Sequence, residues 1–402
     1  MKGLTRLELK KIIHSNSAIL LVIFFLIILS SIVSISSVDI IDNNGEFYSG
    51  IGGWKILSEQ AKVSDGYVTK EYMLREKERY DRSNGKPYIE GIRKEDRELG
   101  LKLVYPQDFL FMTLNAPYGQ DILTTYIDMN LTEQEMEDFY VNWPKTVIEV
   151  LKRTETPYSD QEYKLIYSKA KAVEEPFYYA YNMGWQAFSD SLEQTWWGFA
   201  IFLSVLFASA FQKNSTVGMS EITLYNRESR KKLYGHKIFA QLLFGASIYL
   251  MYILSILLIV GVIYGLHGWN SSIQFIDSVN IFSLKVWQGI LFKIAVGLIA
   301  TFIYVYFISF LSLLLKNDKG TIVVFTLLEV LLTYKSNWLA NTSEVVFNLL
   351  PQNFIRGILS TNKLFFIGDQ IVPYGFVTIL VGCLYILILE FASKWLLRDY
   401  YI

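Results

Sequence analysis

WWGFAIFLSVLFASAF (196–211), QKNSTVGMSEITLYNRESRKKLYGHK (212–237) and IFAQLLFGASIYLMYILSILLIVGVI (238–263) are the three consecutive stretches that decide how the chain is read. Two apolar runs, each suited to crossing a bilayer, flank a polar one. The polar run carries Lys213, Arg227, Arg230, Lys231, Lys232 and Lys237 against Glu221 and Glu228. A short loop with that excess of Lys and Arg belongs on the cytoplasmic side of a membrane, which fixes the side of every other segment. Within it, Met219, Ile222 and Tyr225 recur at helical spacing, giving a short helix one apolar face for a groove in a cytosolic partner. Orientation alone also demands a basic loop, so its charge does not separate the two roles.

Composition agrees with a chain of two compartments. Residues are 52% hydrophobic and 19% charged, too apolar for an ordinary soluble protein and too charged for a purely intramembrane one. A net charge of −1 gives no electrostatic basis for nucleic-acid binding. The single cysteine, Cys383, lies in an apolar run, where a small packed residue is expected. His14, His236 and His267 are scattered and bring no ligand cluster, so no metal site is read.

Working outward toward the N-terminus, residues 193–211 are read as the second span and 39–192 as an extracytoplasmic domain. That interval holds about 150 residues, enough for one modest core. It is expected to be mainly helical, with α+β as the alternative. Lys70 to Tyr80 looks like a solvated helix with close opposite charges. Thr132 and Glu135 make a capping box for a helix whose apolar face is Met136, Phe139, Tyr140, Trp143 and Val147, kinked or divided by Pro144. The aromatic stretch from Phe177 to Trp185, with Trp196 and Trp197, suits a membrane interface, an aromatic ligand surface being the sharper alternative. Residues 17–38 carry no charge and read as an uncleaved first span, preceded by an amphipathic cytoplasmic segment at 1–16.

Toward the C-terminus, 238–263 is the third span, ending in the Gly261/Gly265 pair that permits close helix approach. Residues 267–284 contain no Lys or Arg and form an outer loop. The segment 281–315 exceeds one crossing, so within 285–315 Lys285, Gln288 and Lys293 mark an interfacial start ahead of a fourth span nearer Ile294. A fifth span covers 320–336 and carries Glu329 near its middle, an intramembrane polar candidate that either serves function or packs helices as a hydrogen-bonded group. Residues 337–372 are half apolar and read as one or two outer re-entrant helices around Pro351. The sixth span is 374–396.

The loop resembles the first cytoplasmic loop of ABC-2 type transporter permeases. Gly218, the Ser229–Arg230 pair and Lys237 fall where that family has its Gly, Ser-Arg and Lys, whereas Lys213, Asn214 and Arg227 depart from its common acidic residue and Pro. Leu350–Pro351 and the ending from Phe391 to Asp399 also match, over roughly 1–38 and 190–402. The resemblance implies an all-α polytopic fold of six transmembrane helices in the cell membrane, both termini cytoplasmic. It implies coupling to a separate ATPase through Gly218, Met219, Glu221, Ile222, Tyr225, Arg227, Ser229, Arg230 and Lys237.

The chain itself has no Gly-x-x-x-x-Gly-Lys-[Ser/Thr] loop, and its Gly85–Lys86 pair is followed by Pro87. It is therefore not expected to be an enzyme. ATP and Mg would sit on a cytosolic ABC ATPase subunit, with a second permease copy or paralogue completing the pathway in lipid for a peptide or amphipathic substrate. The alternative is a non-transporting receptor or immunity protein that acts through the outer domain. A membrane-embedded transferase lacks converging acids or histidines in the sequence.

Overall fold

The computed structural model describes residues 39–41, 47–84, 132–153, 158–209, 211, 227–333, 344–356 and 363–399. The expected amphipathic segment 1–16 and first span 17–38 lie outside them, as do Gly218, Met219, Glu221, Ile222 and Tyr225 of the loop. The described chain is mostly helical, with three small two-stranded antiparallel sheets.

Strands β1 (Asp39–Ile41) and β2 (Phe47–Ser49) pair and lead into α1 (Gly50–Ala61). A short β3 (Gly66–Tyr67) precedes α2 (Lys70–Asn84). Then come α3 (Glu133–Glu137), α4 (Phe139–Lys152) and α5 (Asp160–Lys171), followed by β4 (Tyr178–Tyr179), which pairs with β3. Long helices follow: α6 (Met183–Phe207), α7 (Arg227–Tyr264), α8 (Val286–Leu315) and α9 (Asp318–Thr333). The chain closes with α10 (Glu344–Asn348), the hairpin β5 (Leu364–Ile367) and β6 (Gln370–Pro373), and α11 (Tyr374–Asp399).

Among the described residues three helical segments are long and apolar enough to cross a membrane: Lys232–Tyr264, Val286–Leu315 and Tyr374–Leu397. Their mean hydropathies of 2.5, 2.3 and 2.3 leave little to separate them, but their surroundings differ. Within its most apolar window α8 is 61% buried and α11 only 17%, so α8 is the hub of the bundle and α11 its periphery. α8 packs against α6, α7, α9 and α11. The outward face is apolar: Leu254, Leu258 and Val262 on α7, and Leu380, Leu387 and Phe391 on α11 are exposed. An apolar exterior of this extent is stable in hydrocarbon and unfavourable in water.

Among the described residues two large cores and a smaller cluster around Phe211, Tyr234 and Tyr306 share the molecule. The bundle core joins α6, α7, α8 and Phe325 of α9 with Trp54 and Leu57 of α1, so α1 packs with the bundle even though it lies within the 39–192 interval read as the outer domain. The outer core contains Met73 of α2, Met136 of α3, Phe139, Trp143, Val147 and Leu151 of α4, Ile166 of α5, and Phe177 and Tyr179. It also takes in Phe275, Val279, Ile281 and Leu364, from beyond the 39–192 interval. The indole N–H of Trp143 donates to the Ser278 carbonyl at 3.1 Å, tying the distant segment in.

The expected capping box is present: the Glu135 N–H donates to Thr132 Oγ1 at 3.3 Å, and the Thr132 N–H to Glu135 Oε2 at 2.8 Å. A second, at Ser159 and Glu162, starts α5. The division assigned to Pro144 falls instead at Asp138, and Pro144 lies inside α4. The helix at Lys70 is not solvated all round: Tyr72, Met73 and Glu76 are buried. Glu76 accepts from Ser64 Oγ at 2.7 Å and from Arg75 Nε at 3.0 Å, which compensates a carboxylate withdrawn from water. Phe177, Tyr179 and Tyr181 are buried rather than arrayed at an interface.

Other expectations are revised. Where one or two re-entrant helices were expected over 337–372, the described residues hold α10, a 3-10 turn (Pro351–Asn353) and a hairpin. Gly368, at φ 59°, supplies the left-handed residue the tight β5–β6 turn needs. Cys383 is exposed on α11, not packed. Gly265 does make a close approach, as the residue that ends α7 at φ 76° and not as half of a helix-pair motif. Its carbonyl would stand 1.8 Å from a Cβ on Gly184, so the start of α6 and the end of α7 meet backbone to backbone.

Candidate functional site

Buried polar groups tie α8 to its neighbours. Lys293 is fully buried; its ammonium donates to the Ser189 carbonyl at 3.1 Å, to Ser189 Oγ at 2.6 Å and to the carboxylate of Glu193. Ser189 and Glu193 are four apart on α6 and so share a face. A single helix thus offers three acceptors to the three donors of one ammonium, an arrangement that offsets the desolvation of a charge in an apolar bundle. Lys293 is not the interfacial flank that its place in the sequence implied. α8 runs unbroken through it, and its charge is neutralised from the neighbouring helix instead of by water.

Eleven residues further along α8, Tyr304 returns to the same face, roughly 16 Å away along the axis. Its hydroxyl donates to Glu329 Oε1 on α9 at 3.0 Å. Both residues are buried. The Tyr304 ring lies 5.9 Å from Trp196 of α6 and 5.7 Å, edge-on, from Phe325 of α9. Glu329 therefore has the hydrogen-bonded environment that lets a carboxyl group sit inside a bundle.

Further contacts lie at other points around α8. Tyr249 of α7 donates to the Ile294 carbonyl at 2.8 Å, Ser309 to Gln241 Oε1 at 3.0 Å, and Ser312 to the Ala208 carbonyl at 2.7 Å. α8 is tied by polar contacts to α6, α7 and α9 at successive levels, with apolar packing between. Such ties fix helix register where lipid supplies no hydrophobic drive for helix association.

Of the loop residues, Arg227, Ser229 and Arg230 fall in the first turn of α7, which continues without a break to Tyr264. Lys237 lies further along, its ammonium 5.3 Å from the centre of the Phe211 ring. Among the described residues no group of three His, Cys, Asp or Glu is placed to hold a metal ion. The Lys293–Glu193 pair is the feature that sequence reasoning missed. The signal was a lone lysine inside a long apolar run, facing an acid in the aromatic run upstream.

No family model matches this chain, and no curated protein or solved structure matches it.

Proposed function

We propose that this chain is the permease subunit of an ATP-driven ABC exporter for a peptide or amphipathic compound. The observation that carries the reading is the continuity of α7: the basic turn holding Arg227, Ser229 and Arg230 belongs to the same helix that packs on α8 and ends beside α1 at Tyr264. A rigid helix transmits displacement at its basic end into the bundle, where the polar ties offer a discrete set of contacts to exchange. In this reading the chain crosses the cell membrane six times, at 17–38, 193–211, 238–263, 285–315, 320–336 and 374–396, with both termini cytoplasmic. A second permease copy or paralogue completes the pathway, and ATP with Mg binds a separate ATPase.

The test is purification of the chain with whatever cytosolic ATPase it captures, wild type against Arg230→Glu. ATPase capture that is lost or uncoupled in the variant supports the permease. Purification with no ATPase supports the second reading, a membrane-anchored receptor or immunity protein acting through its outer domain. That reading draws on the outer domain having an aromatic core distinct from that of the bundle.

A further inference from the structure

Where the outer domain meets the start of α8, four backbone segments lie side by side. Tyr67 of β3 is paired with Tyr178 of β4. The Ser272 N–H donates to the Tyr178 carbonyl at 2.8 Å, and the Tyr178 N–H to Ser272 Oγ at 2.9 Å. Ser272 is in turn bridged to Lys285, with Ile273 N–H to Leu284 O and Val286 N–H to Ser271 O both at 2.9 Å. This is an irregular four-segment sheet assembled from residues far apart in sequence.

The two sides of this assembly differ in character. Val68, Phe177, Tyr179 and Phe275 enter the outer core. On the other side Glu174, Tyr178, Ser272, Gln274, Ser283 and Lys285 face a common space, beside Val173 and Leu284. With Tyr67 and Gln288 these residues line a cavity of about 500 Å³, within the range of small-ligand sites.

The lining keeps unused hydrogen-bonding capacity of both kinds. Ser272 and Ser283 each accept one backbone N–H, leaving the hydroxyl proton to donate. Both amide hydrogens of Gln274 are taken, at 2.9 and 3.0 Å, by the carbonyls of Asn280 and Phe282, leaving its oxygen as an acceptor. Gln288 accepts from the Lys285 N–H at 2.8 Å, leaving its amide group as a donor. Glu174 and Lys285 add one charge of each sign, and Tyr67, 60% exposed and edge-to-face with Tyr178 at 5.2 Å, adds an aromatic wall.

The geometry points to a binding site for the free ends and backbone amides of a short peptide. Glu174 meets a terminal ammonium, Lys285 a terminal carboxylate, the amides and serines the peptide groups between them, and Tyr67 a side chain. An uncharged sugar uses the aromatic wall and the amides but gives the two charges nothing to pair with. Lys285 and Gln288 stand at the start of α8, so an occupied site touches the hub of the bundle directly. Binding here asks nothing of an ATPase, and its test is independent of the transport reading.

The test uses the full chain in lipid nanodiscs, an equimolar tripeptide library and native mass spectrometry. Saturable binding of free tripeptides is expected. It should weaken at least tenfold for the same library N-acetylated and C-amidated, and at least tenfold in Lys285→Gln and Glu174→Gln, with the unfolding midpoint of each variant unchanged. Absence of saturable binding, equal binding of the blocked library, equal or tighter binding of N-acetylglucosamine oligomers, or unaltered affinity in both variants overturns the proposal.

Discussion

The bundle and the outer domain solve opposite problems. In the outer domain the rings of Phe139, Tyr140, Trp143 and Phe177 are packed edge to face at 4.9 to 6.5 Å, with charge kept mainly at the surface. In the bundle the surface is Leu, Ile, Val and Phe, while Lys293, Glu329 and Gln241 are inside. Burial of apolar area drives the first arrangement. In lipid that drive vanishes between helices, and specific polar ties with close packing take its place. The same side chain therefore has different weight in the two regions.

The comparison breaks most sharply at the ion pair. Glu193→Ala leaves Lys293 buried without its counter-charge and should cost about 3–5 kcal/mol. The double change Lys293→Met with Glu193→Ala should recover most of that, as read from the denaturation midpoint in detergent. A double variant no more stable than Glu193→Ala would show that the pair is not what holds α6 to α8. In the outer domain, Phe177→Ala should cost about 3–5 kcal/mol through a cavity, with no rescue by any charge change.

Smaller effects sharpen the contrast. Tyr304→Phe removes the donor to Glu329 and should cost about 1.5–3 kcal/mol; adding Glu329→Leu should give it back, since no carboxyl is then stranded. Thr132→Ala should cost about 1 kcal/mol by loss of the cap on α3. At the same cap, hydrogen bonds from the Thr132 backbone and side chain hold the Glu135 carboxyl below its usual range. Because the folded value is depressed, this contribution is full above about pH 4.3 and fades as pH falls through the folded value. Glu135→Ala should flatten the acid limb of the stability curve. At the lipid-facing end of the scale, Leu387→Ala should stay within about 0.5 kcal/mol.

Local signals read well wherever chemistry and structure are neighbours in sequence. The Thr132 cap, the apolar stripe through Met136, Phe139 and Trp143, and the apolar runs that became α7, α8 and α11 were all legible from spacing alone. Pro144 was read as a kink or division of one helix, whereas the break falls at Asp138, which ends α3, and α4 runs on through the proline. The aromatic stretch from Phe177 was legible as special but not as core. Burial there depends on α4 supplying Tyr140, whose hydroxyl accepts the Phe177 N–H at 2.9 Å.

By itself the sequence determined that the chain is a mostly helical protein with membrane-capable helices, because hydropathy and helix length are local properties. Tertiary structure alone decided that Lys293 is paired and not interfacial, that Glu329 meets Tyr304, and that Tyr67, Tyr178, Ser272 and Lys285 share a face. Each of these depends on which helix or strand lies alongside. Pairing across scores or hundreds of residues is set by packing free energy summed over the whole chain, which no window of sequence contains.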